Sequence, residues 1–234
     1  MRAVILAAGK GQRLKNITGE IPKPMIIYEG KPILEHNILL CKKYGIKEIF
    51  INTHHLSEQI TEYFKDGTDF GVKIFYTFEN ELLGTSGAVK NISIVYNNFS
   101  ETDFFVIYGD NISNCNLSLL EEKFKSVDNP SGVIAFHHRE DVAQSGVAEF
   151  DENNKIINFI EKPGDNYNKS HWVNAGVYYL NKNILNEIPE GFSDFGKDIF
   201  PKILSDKNSL YGVFIEKDLI AIDTPELYKK NIQN

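Results

Sequence analysis

The most constraining feature of the chain is the apolar run Ala3-Val4-Ile5-Leu6-Ala7-Ala8, which ends in Gly9-Lys10-Gly11-Gln12-Arg13-Leu14 and is followed by Pro22-Lys23-Pro24-Met25. A continuous apolar run rich in β-branched residues reads as a strand buried on both faces, the kind found in parallel sheets covered by helices. The small-residue, glycine-punctuated loop at its end can present backbone N–H groups to a phosphate. Gly9 and Gly11 permit left-handed or closely approached backbone that a side chain would block. Arg13 and Lys23 add positive charge, so the segment describes a site for a polyphosphate. Two common phosphate loops are excluded. A dinucleotide fingerprint needs a third glycine where Leu14 stands, and a Walker loop needs Ser or Thr where Gly11 follows Lys10.

The first half of the chain continues the strand–helix alternation that such a loop demands. Val4–Leu6, Glu48–Asn52, Val72–Thr77 and Phe104–Tyr108 read as strands. Ile33–Tyr44, Leu56–Lys65 and, more weakly, Gly87–Tyr96 read as helices, the first between Pro32 and Gly45 as start and stop signals. This alternation predicts parallel strands with helices on both faces. In open α/β sheets ligands sit at the carboxyl ends of the strands. Gly9–Arg13 and Asp110, after Tyr108-Gly109, both fall at such ends and so on one edge. After Leu117–Lys125 the pattern becomes Gly132–His137, Val147–Phe150, Ile156–Ile160 and Val173–Leu180, with short turns that predict an antiparallel extension. Phe195–Leu204 reads as a helix broken or kinked at Pro201, Leu210–Ile215 as a late strand, and Pro225–Ile232 as a terminal helix.

Composition limits the functional class. The chain has 234 residues, 42% hydrophobic and 24% charged, as expected of a soluble globular protein. A net charge of −7 argues against coating nucleic acid. Cys41 and Cys115 stand far apart, without the pattern of a disulfide framework or a zinc site. Residues 3–8 are too short for a signal segment, and no stretch approaches membrane-spanning length. A cytoplasmic chain with no membrane partner is expected. The adjacent pairs His54-His55 and His137-His138 lack the spacing of helical metal ligands. They read as surface or hydrogen-bonded residues.

Taken together, Leu-Ala-Ala-Gly-x-Gly-x-Arg-Leu and Pro-Lys-Pro resemble the signature of the sugar-1-phosphate nucleotidyltransferases. The resemblance extends to Asp223, nearly the whole chain. It implies an α/β, Rossmann-like three-layer sandwich with a mixed, mostly parallel central sheet and a small antiparallel sugar-binding extension. It also implies one domain over residues 1–234, with a nucleotide half to about 115 and a sugar half from about 116. The implied substrates are a nucleoside triphosphate and a sugar 1-phosphate, with Mg²⁺ as cofactor; a homo-oligomer is left open.

Site roles follow from the same resemblance. Leu6, Ala7, Ala8, Gly9, Gly11 and Arg13 would hold the triphosphate, and Lys23 would offset charge growing in transfer. Asp110 resembles the family's metal aspartate. Glu79-Asn80-Glu81-Leu82-Leu83-Gly84-Thr85 looks like the base-recognition segment, with Leu82 where proline is usual. Glu79 suits the adjacent N1–H and N2–H₂ donors of guanine, and Gly84 and Thr85 lie beside it in that segment. Asn52 would sit near the base or ribose. Glu161-Lys162-Pro163 and Val173-Asn174-Ala175-Gly176 resemble the sugar half. Glu161 and Asn174 would bond hydroxyls, Lys162 the sugar phosphate, and Gly146 would face the sugar with its backbone. Ser193–Pro201 resembles a segment of mannose-1-phosphate guanylyltransferases; a capped core helix accounts for it equally.

One position departs from the family. Its closing Asp-x-Gly-Thr-Pro is here Ala221-Ile222-Asp223-Thr224-Pro225, so the second metal aspartate is Ala221 and a carboxylate returns only at Asp223. Asp223 as the second ligand, Asp110 alone, and impaired catalysis all remain open. The expected activity is guanylyl transfer to mannose or manno-heptose 1-phosphate. Uridylyl, thymidylyl or cytidylyl transfer, phosphocholine as acceptor, and a non-catalytic nucleotide-sugar sensor are the alternatives.

Overall fold

The computed structural model describes residues 1–9, 19, 21–206, 209–216, 219–222 and 225–232. Along the chain run β1 (Arg2–Leu6), β2 (Ile27–Tyr28), β3 (Lys31–Pro32), α1 (Ile33–Lys43), β4 (Glu48–Thr53), α2 (Ser57–Phe64) and β5 (Lys73–Phe78). Then come α3 (Gly84–Val95), β6 (Phe104–Tyr108), β7 (Ile112–Ser113), α4 (Leu117–Ser126), β8 (Gly132–His138), β9 (Gly146–Phe150), β10 (Ile156–Glu161) and β11 (Trp172–Leu180). A π-helical turn (Phe195–Ile199), α5 (Phe200–Ser205), β12 (Leu210–Ile215), β13 (Leu219–Ile220) and α6 (Pro225–Ile232) complete it.

The chain packs as two compact units. The first comprises Met1–Leu82, Val106–Asn114 and Leu219–Asn234. Its strands lie in the order β6-β1-β4-β5, and β4 is parallel to both β1 and β5. Ala3, Val4 and Ile5 are wholly buried, as a strand covered on both faces requires. Helix α1 buries Ile33, Leu34, Ile38 and Cys41, and Gly45 at φ +74° turns the chain out of it. Two small antiparallel pairs, β2–β3 and β7–β13, carry no sequence signal because each strand is only two residues long. Ile26, Ile33, Ile112 and Ile222 make a buried cluster in this unit.

The second unit comprises Leu83–Phe105 and Cys115–Asp218. Its strands lie in the order β10-β9-β11, with β8 antiparallel to β11 and parallel to β12. The fold is therefore the expected one, a mixed, mostly parallel central sheet with helices, Rossmann-like, with small antiparallel sheets. Two local expectations need correction. Helix α3 starts at Gly84, not Gly87. The break in Phe195–Leu204 precedes Pro201, which sits in the first turn of α5, where its missing N–H costs no helical hydrogen bond. His137 is half-buried on β8; burial, with the nearby charges of Arg139 and His138, pushes its pKa down to about 4, so it is neutral near pH 7.

Candidate active site

In the first unit, the ends of β1, β4 and β5 are tied together by one side chain. The Asn52 Oδ1 accepts from the Ala7 backbone N–H at 2.8 Å, and its Nδ2 donates to Glu79 Oε1 at 2.7 Å. Register places Asn52 opposite Leu6, the last residue of β1, and Thr53 opposite Phe78, just before Glu79. His54 Nδ1–H donates to the Glu79 carbonyl at 2.7 Å, and the Glu79 N–H donates to the Thr53 carbonyl at 2.8 Å. Glu79 is only 2% exposed. Asn52, expected beside base or ribose, thus spends both polar atoms on holding Ala7 and Glu79. Ala8 is buried beyond Ala7, and Gly9 follows with no atom of the described residues within 4 Å of where a Cβ would stand.

Lys23 and Asp110 are brought together from 87 residues apart. Lys23, 6% exposed on a short turn, donates from Nζ to Asp110 Oδ2 at 2.8 Å. Asp110 follows the end of β6, where the Gly109 N–H donates to the Leu6 carbonyl at 2.9 Å. A Cβ at Gly109 would stand 2.8 Å from that same carbonyl oxygen, so only glycine lets Asp110 emerge beside the end of β1. Asn37 on α1 donates to the Asn111 carbonyl at 2.8 Å and fixes the turn after Asp110. The second carboxylate oxygen of Asp110 is buried with no hydrogen-bond partner among the described residues. A buried carboxylate oxygen is costly without a partner. It fits a divalent cation that takes few protein ligands and completes its shell with phosphate oxygens and water.

Among the described residues no group of three or more His, Cys, Asp or Glu side chains could hold a metal. Gly11, Arg13 and Asp223 lie outside the described residues. The segment leading to Asp223 is anchored, since Ile222 is wholly buried and the Ala221 carbonyl accepts from Asn231 Nδ2 at 2.7 Å.

In the second unit, Gly84 and Thr85 open α3 against a distant segment. Thr85 donates from both its N–H and its hydroxyl to Asp194 Oδ1, at 3.0 and 3.1 Å, and its hydroxyl accepts from the Phe195 N–H at 2.9 Å. The N–H groups of Ser86 and Gly87 both donate to the Ser193 carbonyl at 3.1 Å. The donors left unsatisfied at a helix N-terminus are here capped by protein. A Cβ at Gly84, whose φ is +74°, would stand 2.4 Å from the Ser193 oxygen. Glycine at this position is required by that contact and by its backbone angle.

The sugar-half residues lie on the antiparallel strands of this unit. Gly146 on β9 is the register partner of Glu161 on β10. Burial raises the Glu161 pKa and the Asp194 charge adds to it, while Lys162 and Lys197 oppose the shift. Lys162 adopts φ +54°, unusual before proline, and its N–H donates to the Ser145 carbonyl at 3.0 Å. A lysine held there is strained backbone beside candidate functional residues. Asn174 is turned inward: Nδ2 donates to Tyr178 Oη at 2.7 Å and Oδ1 accepts from the Gly176 N–H at 2.9 Å. The first bond spans the irregularity where the β11–β8 register shifts, and the second lies within it. The contacts of Asn37, Tyr178, Asp194 and Gly196 are long-range or bulge contacts that periodicity does not reveal.

A family model described as nucleotidyl transferase matches residues 2–219. A UTP–glucose-1-phosphate uridylyltransferase of Synechocystis sp. is 34% identical over 95% of this chain, which covers 60% of that protein's length. A D-glycero-α-D-manno-heptose 1-phosphate guanylyltransferase of Campylobacter jejuni is 36% identical over 82% of each chain. Among solved structures, HddC of Yersinia pseudotuberculosis complexed with GMP-PN aligns with a TM-score of 0.79 and 28% identity, covering 99% of this chain and 98% of that one.

Proposed function

We propose, from the premise that this chain belongs to the nucleotidyl transferase family, that it joins a nucleoside monophosphate to a sugar 1-phosphate. A sugar-phosphate oxygen attacks the α-phosphorus of a nucleoside triphosphate, the new P–O bond forms, the α–β bond breaks, and pyrophosphate leaves. Several anionic groups crowd one phosphorus, so cations and positioning do most of the work. The observation that carries this reading is the Lys23–Asp110 pair, with one Asp110 oxygen buried and unpartnered among the described residues. Lys23 meets the charge that grows on the transferring phosphate. Mg²⁺ bound at Asp110, with Asp223 as the proposed second ligand, would supply further charge neutralisation.

Leu6 to Gly9, Gly11 and Arg13 are assigned to the triphosphate. Glu79, with Gly84 and Thr85, is assigned to the base, and Asn52 to holding Glu79. Gly146, Glu161, Lys162 and Asn174 are assigned to the sugar phosphate, Asn174 through the backbone it braces. The base is guanine in this reading, because a carboxylate accepts from two adjacent guanine donors. A mannose or manno-heptose 1-phosphate is the acceptor. The guanylyltransferase similar over 82% of both chains supports this choice. A second reading, uridylyl transfer, draws on the similar Synechocystis protein.

The test is pyrophosphate release with Mg²⁺, crossing GTP, UTP, CTP, dTTP and ATP against a panel of sugar 1-phosphates and phosphocholine. GTP with a manno-configured sugar is the expected pair. Release with UTP and a gluco sugar instead would overturn the assignment of Glu79 and leave the reaction class standing.

A further inference from the structure

The segment Ser193–Pro201 contains a glycine whose presence its backbone does not explain. Gly196 lies in the π-helical turn Phe195–Ile199 without a left-handed φ. Space explains it: a Cβ there would stand 2.4 Å from Glu161 Oε2. From the opposite strand, a Cβ at Gly146 would stand 2.7 Å from the same oxygen, and Gly146 also lacks a left-handed φ. The Phe159 ring edge closes the space, 3.3 Å from the Cβ position at Gly196 and 2.9 Å from that at Gly146. Two glycines and one ring thus form a slot for a single carboxylate oxygen. Among the described residues no hydrogen bond holds that carboxylate, so shape fixes it. The turn is itself braced, because the Asp194 N–H donates to Asp198 Oδ2 at 2.7 Å and the Asp194 carboxylate receives Thr85. π-Helical turns recur at functional sites.

We propose that Gly196 is a positioning residue: with Gly146 it sets where the Glu161 carboxylate lies, and so where that carboxylate meets the hydroxyls of the sugar phosphate. The proposal rests on the assignment of Glu161 to the sugar. A methyl group at position 196 overlaps Oε2 and must push the carboxylate out of its slot, and displacements of about 1 Å in such groups cost on the order of 100-fold.

The test is a double-mutant cycle of Gly196→Ala and Glu161→Ala, read by KM for each substrate, with thermal melting as the check on folding. Because Oε2 is the end of a flexible side chain, Gly196→Ala is expected to melt within about 2 °C of wild type. It should raise KM for the sugar 1-phosphate at least about 10-fold, leaving nucleotide KM within about twofold. In the Glu161→Ala background the same change should not shift sugar KM appreciably, since the overlapping oxygen is gone. Sugar KM raised by Glu161→Ala but unmoved by Gly196→Ala, or raised equally by Gly196→Ala in both backgrounds, overturns the positioning role and leaves the sugar assignment standing. Sugar KM unmoved by Glu161→Ala overturns the sugar assignment of Glu161, and the positioning role with it. If Gly196→Ala alone does not fold, the slot requires that the double variant does; a double variant that also fails to fold contradicts it.

Discussion

At the scale of single residues, two buried polar side chains organise the first unit. Lys23 is fixed on Asp110, so its charge is already in place when a triphosphate arrives. Lys23→Ala should therefore lower kcat about 100-fold or more while changing nucleotide KM by less than about 10-fold. Equal losses in both would mean that Lys23 only binds. Asn52 uses its amide oxygen on Ala7 and its amide nitrogen on Glu79. Asn52→Ala removes both bonds from a buried setting and should cost about 1–3 kcal/mol in urea unfolding. It should also narrow the preference among nucleoside triphosphates, because Glu79 loses a partner that orients it. An unchanged preference would separate Glu79 from base selection. Asp110 and Lys23 were legible in the sequence because strand ends and a proline-flanked lysine are local patterns. The two bonds that Asn52 makes were not, since an asparagine at the end of a strand carries no sign of which strands it will bridge.

At the scale of elements, the strands and helices were legible where hydrophobic periodicity alone decides them. Helix α1, bounded by Pro32 and Gly45, and the apolar strands β1 and β6 stand where the pattern put them. The start of α3 was missed by three residues because its cap is not local. Thr85 meets Asp194 across 109 residues of chain, and the Ser193 carbonyl takes the next two N–H groups. Periodicity reports which face of a helix is apolar, not which distant carbonyl will cap it. The glycines of the Gly-Thr-Ser-Gly stretch were legible as glycines, but the reason for them was the close approach of residues 191 and 193. The cap makes a prediction at this scale. Asp194→Ala should destabilise the chain by about 1 kcal/mol through the loss of a helix-capping acceptor. The melting temperature should fall by roughly 2–4 °C, and an unchanged melting curve would show that water replaces the carboxylate at no cost.

At the scale of the whole molecule, the chain belongs to a family whose chemistry crowds anions around one phosphorus, yet its own net charge is −7. The positive charge must therefore be local. In the proposed site it is supplied at the carboxyl edge of the strands of the first unit, where Lys23 is buried against Asp110. That placement follows from the parallel order β1-β4-β5, with β6 next to β1, because it gathers the ends of β1, β4, β5 and β6 on one edge. In the proposed reading Asp110 is the metal carboxylate among the described residues, with one buried oxygen that no described residue satisfies. The central claim is therefore tested most directly by pyrophosphate release from the wild-type and Asp110→Asn chains at saturating nucleotide, with nucleotide binding measured beside it. Turnover of Asp110→Asn is expected to fall by about 100-fold or more with nucleotide still bound; turnover within about twofold of wild type would contradict a metal-binding role for Asp110.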